Sequence, residues 1–204
     1  GVRDIVAVGS QIGSIDGSAM LLRILPVYDD GTIDVTGSVV DLPDDLELDR
    51  DVLWSFSKDI TSGDFDGDSD IDLAITSDTS FVQVMLNDGA GAFTQGQRVL
   101  VGTQPIHIHA ADFNLDGKID LATANAESNT VHVSYGVGDG TFGDSTGAPE
   151  SWVSVDLERN ADLFDMVIAD FDGDGAPDIA VAEDGTNPPD SGRGSVQLVF
   201  AAGL

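Results

Sequence analysis

The sequence predicts an all-β protein, a β-propeller built of four-stranded blades, and three observations support this prediction. An acidic phrase occurs three times, as DFDGDSDID at 64–72, DFNLDGKID at 112–120 and DFDGDGAPD at 170–178. A short segment of strand-forming character follows each copy, namely LAIT, LATA and IAVA. Helical periodicity is nowhere sustained, and short strands that recur in units are typical of radially repeated blades. An extended β-solenoid or a β-sandwich is the alternative.

The final Asp of each acidic phrase defines the repeat. These anchors are Asp72, Asp120 and Asp178, and a fourth anchor, Asp4, precedes the segment IVAV. A second strand-like segment follows each anchor, within 20–25, 81–86, 131–135 and 196–200, and three of these lead into turns at 29–33, 87–93 and 136–142. Asp-Gly between apolar runs is a strong hairpin signal. Another strand enters each acidic phrase, within 54–62, 106–111 and 164–169.

Strand counting indicates how much of a ring the chain forms. The first unit lacks its entering strand and the last ends after its third strand, so we expect fourteen strands, or about three and a half blades. We treat residues 1–204 as a single propeller region with repeat units of about 1–53, 54–104, 105–160 and 161–204. Half a ring exposes sheet edges, so we expect either a fragment of a longer chain with further blades or a homodimer. Two copies would supply the strands of seven four-stranded blades.

The acidic phrases have the composition of calcium loops. A calcium ion binds six to eight oxygens, and a tight loop can supply them from positions 1, 3 and 5, the carbonyl of position 7, and position 9. The sequence therefore predicts three calcium sites. The ligands in the first are Asp64, Asp66, Asp68, the carbonyl of Asp70, and Asp72; in the second Asp112, Asn114, Asp116, the carbonyl of Lys118, and Asp120; in the third Asp170, Asp172, Asp174, the carbonyl of Ala176, and Asp178.

EF-hands and metal-free turns are the two alternatives to this interpretation of the acidic phrases. The loops lack Glu at position 12 and flanking helices, so they are not EF-hands. They could also be solvated Asp-Gly turns without metal, but clustered like charges on a short loop disfavour folding, and a cation removes that repulsion. Calcium suits a flexible site made of protein oxygens better than magnesium does.

Position 6 of each loop should turn sharply with a positive φ. Gly117 and Gly175 occupy it in the second and third loops, whereas Ser69 occupies it in the first. A residue other than glycine in this conformation costs roughly 1 kcal/mol. We therefore expect the first loop to be the weakest or to differ in geometry.

Charge and composition exclude several classes of function. The chain has 37 acidic and 8 basic residues, a formal charge of −29 and no cysteine. Nucleic acid is not an expected partner, because its phosphates are attracted by basic surfaces that this chain lacks. No apolar run approaches the roughly 18 residues of a membrane span, so membrane insertion is not expected. Disulfides and thiolate metal sites are excluded.

The sequence offers no recognisable catalytic set. His107 and His109 lie on one face of a strand and could belong to a metal or acid-base site, but packed or channel-lining roles are the simpler interpretation. Trp54 and Trp152 could stack on a sugar, but core or rim packing is the favoured interpretation. The segments 41–51, 145–155 and 183–195, the last of which carries Arg193, are interpreted as surface insertions in which binding specificity would lie.

The phrases ADFNLDGKIDLATA, ADFDGDGAPDIAVA and VHVSYGVGDGTF resemble FG-GAP/VCBS repeats, similar to the calcium-binding blades of integrin α-subunit propellers. The resemblance covers nearly the whole chain. It implies a propeller of seven or eight blades, usually extracellular or at the cell surface, with calcium loops between the first two strands of a blade. At the first unit only Asp4 matches the last ligand, so no calcium site is assigned there.

The function expected from this resemblance is that of a calcium-binding recognition or adhesion module that binds protein or carbohydrate through inserted loops. The alternative is the scaffold or accessory domain of a polysaccharide lyase or hydrolase. Because the chain has no recognisable catalytic residues, the binding module is favoured.

Overall fold

The computed structural model describes residues 4–11, 20–27, 39–41, 59–77, 79–143, 151–157, 163–183 and 194–201. No helix with the length and apolarity needed to span a bilayer occurs among them. The regular elements in these residues are fourteen strands: β1 (Asp4–Gln11), β2 (Met20–Val27), β3 (Val39–Asp41), β4 (Ile60–Gly63), β5 (Asp72–Thr76), β6 (Phe81–Asn87), β7 (Phe93–Leu100), β8 (Pro105–Ala111), β9 (Asp120–Asn125), β10 (Thr130–Ser134), β11 (Trp152–Asp156), β12 (Leu163–Ala169), β13 (Asp178–Glu183) and β14 (Ser195–Val199).

Consecutive strands form four antiparallel sheets. The described strand orders are β1-β2-β3, β4-β5-β6-β7, β8-β9-β10-β11 and β12-β13-β14. The all-β prediction is confirmed, and the expected fourteen strands are present in the described residues. They form four sheets of three, four, four and three strands, which correspond to the four repeat units with an incomplete first and last unit. Ring closure and the number of blades in a complete ring stay predictions.

The hydrophobic core lies between the sheets. Ala74, Val82 and Val84 of the second sheet pack with Ile108 and Leu121 of the third. The opposite face of the third sheet packs in the same way on the fourth, with Ala122, Ala124, Val131 and Val133 against Met166, Ile179 and Val181. Strands β5 and β9 are buried along their whole length because neighbouring strands and neighbouring sheets enclose them. This explains why LAIT and LATA are almost continuously apolar.

Side chains at one repeated position connect the first strands of successive sheets. Asp59, just before β4, accepts a hydrogen bond from the backbone N–H of Ile108 in β8 at 3.0 Å. His107 lies 3.6 Å from the Asp59 carboxylate through Nδ1. Its Nε2 lies 2.8 Å from the carbonyl oxygen of Phe164 in β12, and His109 Nε2 lies 2.8 Å from that of Met166. The two histidines therefore connect sheets, as the packing interpretation expected.

Trp152 and His132 form a second packed pair. Their rings stack with centroids 5.1 Å apart and planes inclined by 6°. His132 is buried and Trp152 is half-buried, so one face of the Trp152 ring packs on His132, as the packing interpretation expected. Trp152 also begins β11, the fourth strand of its sheet. The interpretation of 145–155 as a surface insertion is thus wrong for residues 152–155, because β-branched Val153 and Val155 alternate with polar residues and pair with β10.

Several features singled out in the sequence lie outside the described residues. They are Trp54, Arg193, the turn at 29–33, residues 145–150 of the insertion at 145–155, and the insertions at 41–51 and 183–195 except Asp41, Glu183, Gly194 and Ser195.

Replacing His107 by alanine should destabilise the fold in a pH-dependent way. Hydrogen bonding to Asp59 raises the pKa of His107 above its usual 6.5, and the same pairing contributes to a lowered pKa of Asp59 despite partial burial. A raised folded-state pKa means that the charged histidine stabilises the fold fully below pH 6.5 and that this contribution is lost as pH rises through the folded-state value. Urea unfolding should show a larger difference between wild type and His107→Ala at about pH 5.5 than at about pH 8.5.

Val137→Ala is the control, because Val137 is exposed and lies outside these contacts. Its effect on unfolding should be small at both pH values. A pH-independent effect of His107→Ala would contradict the role of the Asp59 pairing.

Candidate metal centres

The three acidic phrases form three loops of the same build. The first loop (64–72) joins β4 to β5, the second (112–120) joins β8 to β9, and the third (170–178) joins β12 to β13. Each therefore connects the first two strands of its sheet and ends on the first residue of the second strand. The positions within the loops are numbered 1 to 9 below.

The aspartate at position 9 is a buried anchor. Asp72, Asp120 and Asp178 are all 0% exposed. In each, Oδ2 accepts the N–H of loop position 2 at 2.8 Å, and Oδ1 accepts an N–H at the end of the third strand of the sheet at 2.8–2.9 Å. The donors are Phe65 and Asn87 for Asp72, Phe113 and Gly136 for Asp120, and Phe171 and Ala201 for Asp178. A charged acceptor makes each such bond worth about 1.5–3 kcal/mol.

Positions 1, 3 and 5 organise the loop backbone. The position 1 carboxylate accepts the N–H of position 6 through Oδ2, while positions 3 and 5 each accept the N–H two residues later through one oxygen. The pattern repeats in all three loops, with bonds to Asp64, Asp66 and Asp68 in the first, to Asp112, Asn114 and Asp116 in the second, and to Asp170, Asp172 and Asp174 in the third. Each carboxylate at positions 3 and 5 uses only one oxygen here, so its other oxygen stays available to a cation, whereas Asn114 has no second oxygen.

Two positions in each loop adopt a positive φ. At position 6 the φ values are 75° for Ser69, 83° for Gly117 and 95° for Gly175. The sharp turn expected there is present, including at serine. Position 4 also has a positive φ, at 80° for Gly67, 59° for Leu115 and 84° for Gly173. The first and second loops each carry one non-glycine residue in this conformation, so the backbone strain is not confined to the first loop.

The carboxylates gather differently in the three loops. In the first, ligand atoms of Asp64, Asp66 and Asp72 all lie within 4.8 Å of one another. In the third, those of Asp170, Asp172 and Asp174 do so. Among the described residues of the second loop, no three acidic side chains gather to this extent. Clusters of three oxygens at this range match the spacing at which a hard divalent cation is surrounded.

The second loop differs in charge as well. Neutral Asn114 replaces a carboxylate at position 3. Lys118 at position 7 lies with its ammonium nitrogen 3.9 Å from the carboxylate of Asp116. Both features lower the negative charge available to a cation. On charge, therefore, the second loop fits a cation less well than the first, which differs from the rank expected from Ser69. The side chains at position 7 add no carboxylate in the second and third loops, since Lys118 and Ala176 stand there.

Burial raises the pKa of Asp120 and Asp72, the anchors of the second and first loops. Desolvation raises the pKa of Asp120 to about 6, because it outweighs the hydrogen bonds from Gly136 and Phe113, and the charges of Asp116 and Asp112 add to it. Burial likewise raises the pKa of Asp72. Without a cation, each of these two loops therefore holds a buried carboxylate whose ionisation costs free energy. A bound cation would favour the ionised form.

The first loop also contacts the next sheet. The N–H of Gly140, in the turn after β10, donates to the carbonyl oxygen of Phe65 at 2.9 Å. Phe142 from the same turn meets Phe65 edge to face, with ring centroids 5.4 Å apart. Gln97 of β7 in turn exchanges two hydrogen bonds with the backbone of Phe142, at 3.0 and 2.7 Å. The conformation of the first loop is thus linked to the packing between the second and third sheets.

Comparison with known proteins identifies the repeat. A model of the FG-GAP-like repeat matches residues 64–123 and again 112–181, which together span more than half of the chain. No curated protein sequence matches significantly.

Two solved structures resemble the chain weakly. The biofilm matrix protein Bap1 of V. cholerae is 16% identical over 97% of this chain, with a TM-score of 0.42. BBS1N in complex with ARL6DN, soaked with mercury, is 14% identical over 98% of this chain, also with a TM-score of 0.42. The chain spans 34% of the first structure's chain and 65% of the second's.

Relieving the loop strain should stabilise the protein. We expect Ser69→Gly to raise the free energy of unfolding by about 1 kcal/mol relative to Ser69→Ala, because both remove the hydroxyl but only glycine adopts φ near 75° without strain. Leu115→Gly against Leu115→Ala should give a similar difference. Urea unfolding measures both pairs. Equal stabilities of the glycine and alanine variants would show that these positions are unstrained.

The metal-free protein should lose stability as the pH rises through about 6. The pKa of Asp120 is raised to about 6 in the folded state from 3.8, so the folded state binds more protons between these values and is favoured as the pH falls. Unfolding in the presence of a chelator should therefore show increasing stability from about pH 7 to about pH 5. Asp120→Asn should show a flatter pH dependence, because residue 120 then no longer titrates. An unchanged slope would contradict the assignment to Asp120.

Proposed function

The chain belongs to the FG-GAP-like repeat family, and from this premise we propose that it is a calcium-binding, extracellular recognition module of the β-propeller type. The observation that carries the proposal is the threefold repetition of one loop, in which a buried aspartate anchors the backbone and further carboxylates collect beside it. The backbone bonds at position 3 need only one side-chain oxygen, which neutral Asn114 supplies in the second loop, so they do not account for the carboxylates that gather in the first and third loops against their mutual repulsion.

The loops offer the donors that calcium prefers. In the first loop we assign the ion to Asp64, Asp66, Asp68 and Asp72, with the carbonyl of Asp70. In the third we assign it to Asp170, Asp172, Asp174 and Asp178, with the carbonyl of Ala176. In the second, Asp112, Asn114, Asp116 and Asp120 with the carbonyl of Lys118 form the equivalent but weaker set. Calcium is favoured over magnesium because it accepts many oxygens in irregular geometry.

The bound cations would act on the structure rather than on a substrate. Three divalent ions would bring the formal charge from −29 to −23, with the change concentrated where like charges are closest. Each ion would also fix a loop at the end of a sheet, so that the surfaces around it are held ready for a ligand. Preorganisation of this kind lowers the entropy cost of binding.

A recognition role fits a chain in which repeated strands and loops form a scaffold and segments of differing length connect them. We propose protein or carbohydrate as the ligand, and an extracellular or cell-surface location, where free calcium is abundant. A panel of polysaccharides tests the ligand class. Retention without cleavage would support a binding module, whereas shortened chains would replace it by the enzyme alternative.

Calorimetric titration with calcium tests the metal assignment. We expect two stronger sites and one weaker site, with magnesium binding more weakly at each. Asp170→Asn should remove one strong site, because position 1 orders the whole third loop. Asp156→Asn is the matched control: it removes the same charge from an exposed aspartate outside the loops and should leave all three sites.

If Asp170→Asn and Asp156→Asn reduce the heat of calcium binding equally, calcium screens the charge of the chain diffusely and does not occupy a specific site. Three equal affinities would contradict the lower rank of the second loop.

A further inference from the structure

The side chain at loop position 7 lies against a hairpin turn in two of the three loops. The turn follows the third strand of the sheet, and two residues after its N–H donor to the anchor it carries Gly89 in the second sheet and Gly138 in the third. The Asp70 carboxylate lies so close to Gly89 that any side chain at residue 89 would collide with it. The stem of Lys118 lies likewise against Gly138, where a Cβ would come within 3.4 Å of Lys118 Cγ and Cδ. The repeat therefore directs the position 7 side chain to the same place in both loops.

The three position 7 side chains differ in charge. Asp70 brings a negative charge to the first loop, Ala176 brings none to the third, and Lys118 brings a positive charge to the second. Position 7 also supplies a carbonyl ligand to each proposed calcium site, so the charge on its side chain acts on the ion over a short distance. Opposite charges at one position should therefore give the first and second loops different affinities for the same cation.

The Lys118 ammonium lies beside the oxygen that a cation would need. Oδ1 of Asp116 accepts the N–H of Lys118 at 2.9 Å, which leaves Oδ2 for a cation. The ammonium nitrogen lies 3.9 Å from this same Oδ2. The lysine charge also contributes to the lowered pKa of Asp139 in the turn, after the hydrogen bond from Thr141. The ammonium therefore acts on acidic groups of both the loop and the turn.

We propose, on the premise of the calcium sites proposed above, that the side chain at position 7 sets the calcium affinity of each loop through its charge. In the second loop Lys118 acts as a tethered cation, meaning a positive group of the chain that neutralises part of the charge a metal ion would otherwise neutralise. It lowers the calcium affinity of that loop and stabilises its metal-free form. Asp70 has the opposite effect in the first loop.

Asn114 at position 3 would weaken the second loop in a different way. It lacks the second oxygen and the charge of the aspartate that stands there in the other two loops. If Asn114 alone set the low affinity, removing the lysine charge would not change calcium binding. The Lys118 side chain is 44% exposed, so its effect passes through solvent and should weaken as salt is added.

Calorimetric titration of the whole chain with calcium at low salt tests the proposal. Lys118→Met keeps an unbranched stem against Gly138 but removes the charge, and it should raise the affinity of the weakest site about tenfold. This gain should shrink as the salt concentration is raised. Lys118→Arg keeps the charge and should keep the low affinity. Asp70→Asn should lower the affinity of one strong site.

Arg98→Met is the matched control. It removes the same charge from a side chain that lies over the Phe81 ring, 4.6 Å from the ring centroid and outside the acidic loops. All three calcium affinities should stay as in wild type.

Urea unfolding in a chelator at low salt measures the effect of the lysine without calcium. Lys118→Met should unfold more easily than wild type and than Lys118→Arg, because the acidic loop then has no positive group to offset its charge. The difference should decrease when calcium is added. A Lys118→Met chain that is as stable as wild type in chelator would overturn the role of Lys118 as a tethered cation.

Calcium binding by Lys118→Met with wild-type affinities would overturn this proposal and leave the proposed function intact. An equal gain in affinity from Arg98→Met would also overturn it, because the net charge of the chain rather than position 7 would then set the affinity. A complete absence of calcium binding in wild type and in every variant would overturn the proposed function and this proposal together.

Discussion

The buried aspartate at position 9 is the constraint on which the repeat depends. Asp72, Asp120 and Asp178 each join the start of an acidic loop to the end of the third strand through two N–H donors. A carboxylate excluded from water must be compensated, and here two backbone donors do this for each one. Replacing the aspartate by an apolar residue would leave both N–H groups without their acceptor. The residue is thus required by the loop geometry as well as by any cation.

The anchor also explains why the loops can collect so much negative charge. The anchor fixes both ends of the loop. Between them, the side chains at positions 1, 3 and 5 accept hydrogen bonds from N–H groups of the loop and hold its backbone in a compact turn. This compact loop holds the remaining carboxylate oxygens close together, and a divalent cation would relieve their repulsion. Because the first loop contacts Gly140 and Phe142 of the following sheet, cation binding there would stabilise packing between sheets as well as the loop itself.

The strands and the acidic loops could be predicted from the sequence, whereas contacts between residues far apart in the chain could not. The strands and the three loops follow from apolar segments and from alternating acidic residues, and the positive φ at position 6 follows from Gly117 and Gly175. The positive φ at position 4 could have been found, since Gly67 and Gly173 align there, but Leu115 interrupts the signal. The second donor to each anchor lies 15 to 23 residues further along the chain, and no local pattern specifies it. The carbonyl partners of His107 and His109 lie 57 residues away, on another sheet.

The most direct measurement of the central claim is an anomalous difference map from crystals of this chain grown in calcium. We expect an ion in the first and third loops, held by positions 1, 3, 5 and 9 and by the carbonyl of position 7, while the position 9 aspartate keeps both of its backbone N–H bonds. A weaker peak is predicted in the second loop. A map without peaks in any of the three loops, at full calcium saturation, would contradict the claim that these loops are built to hold cations.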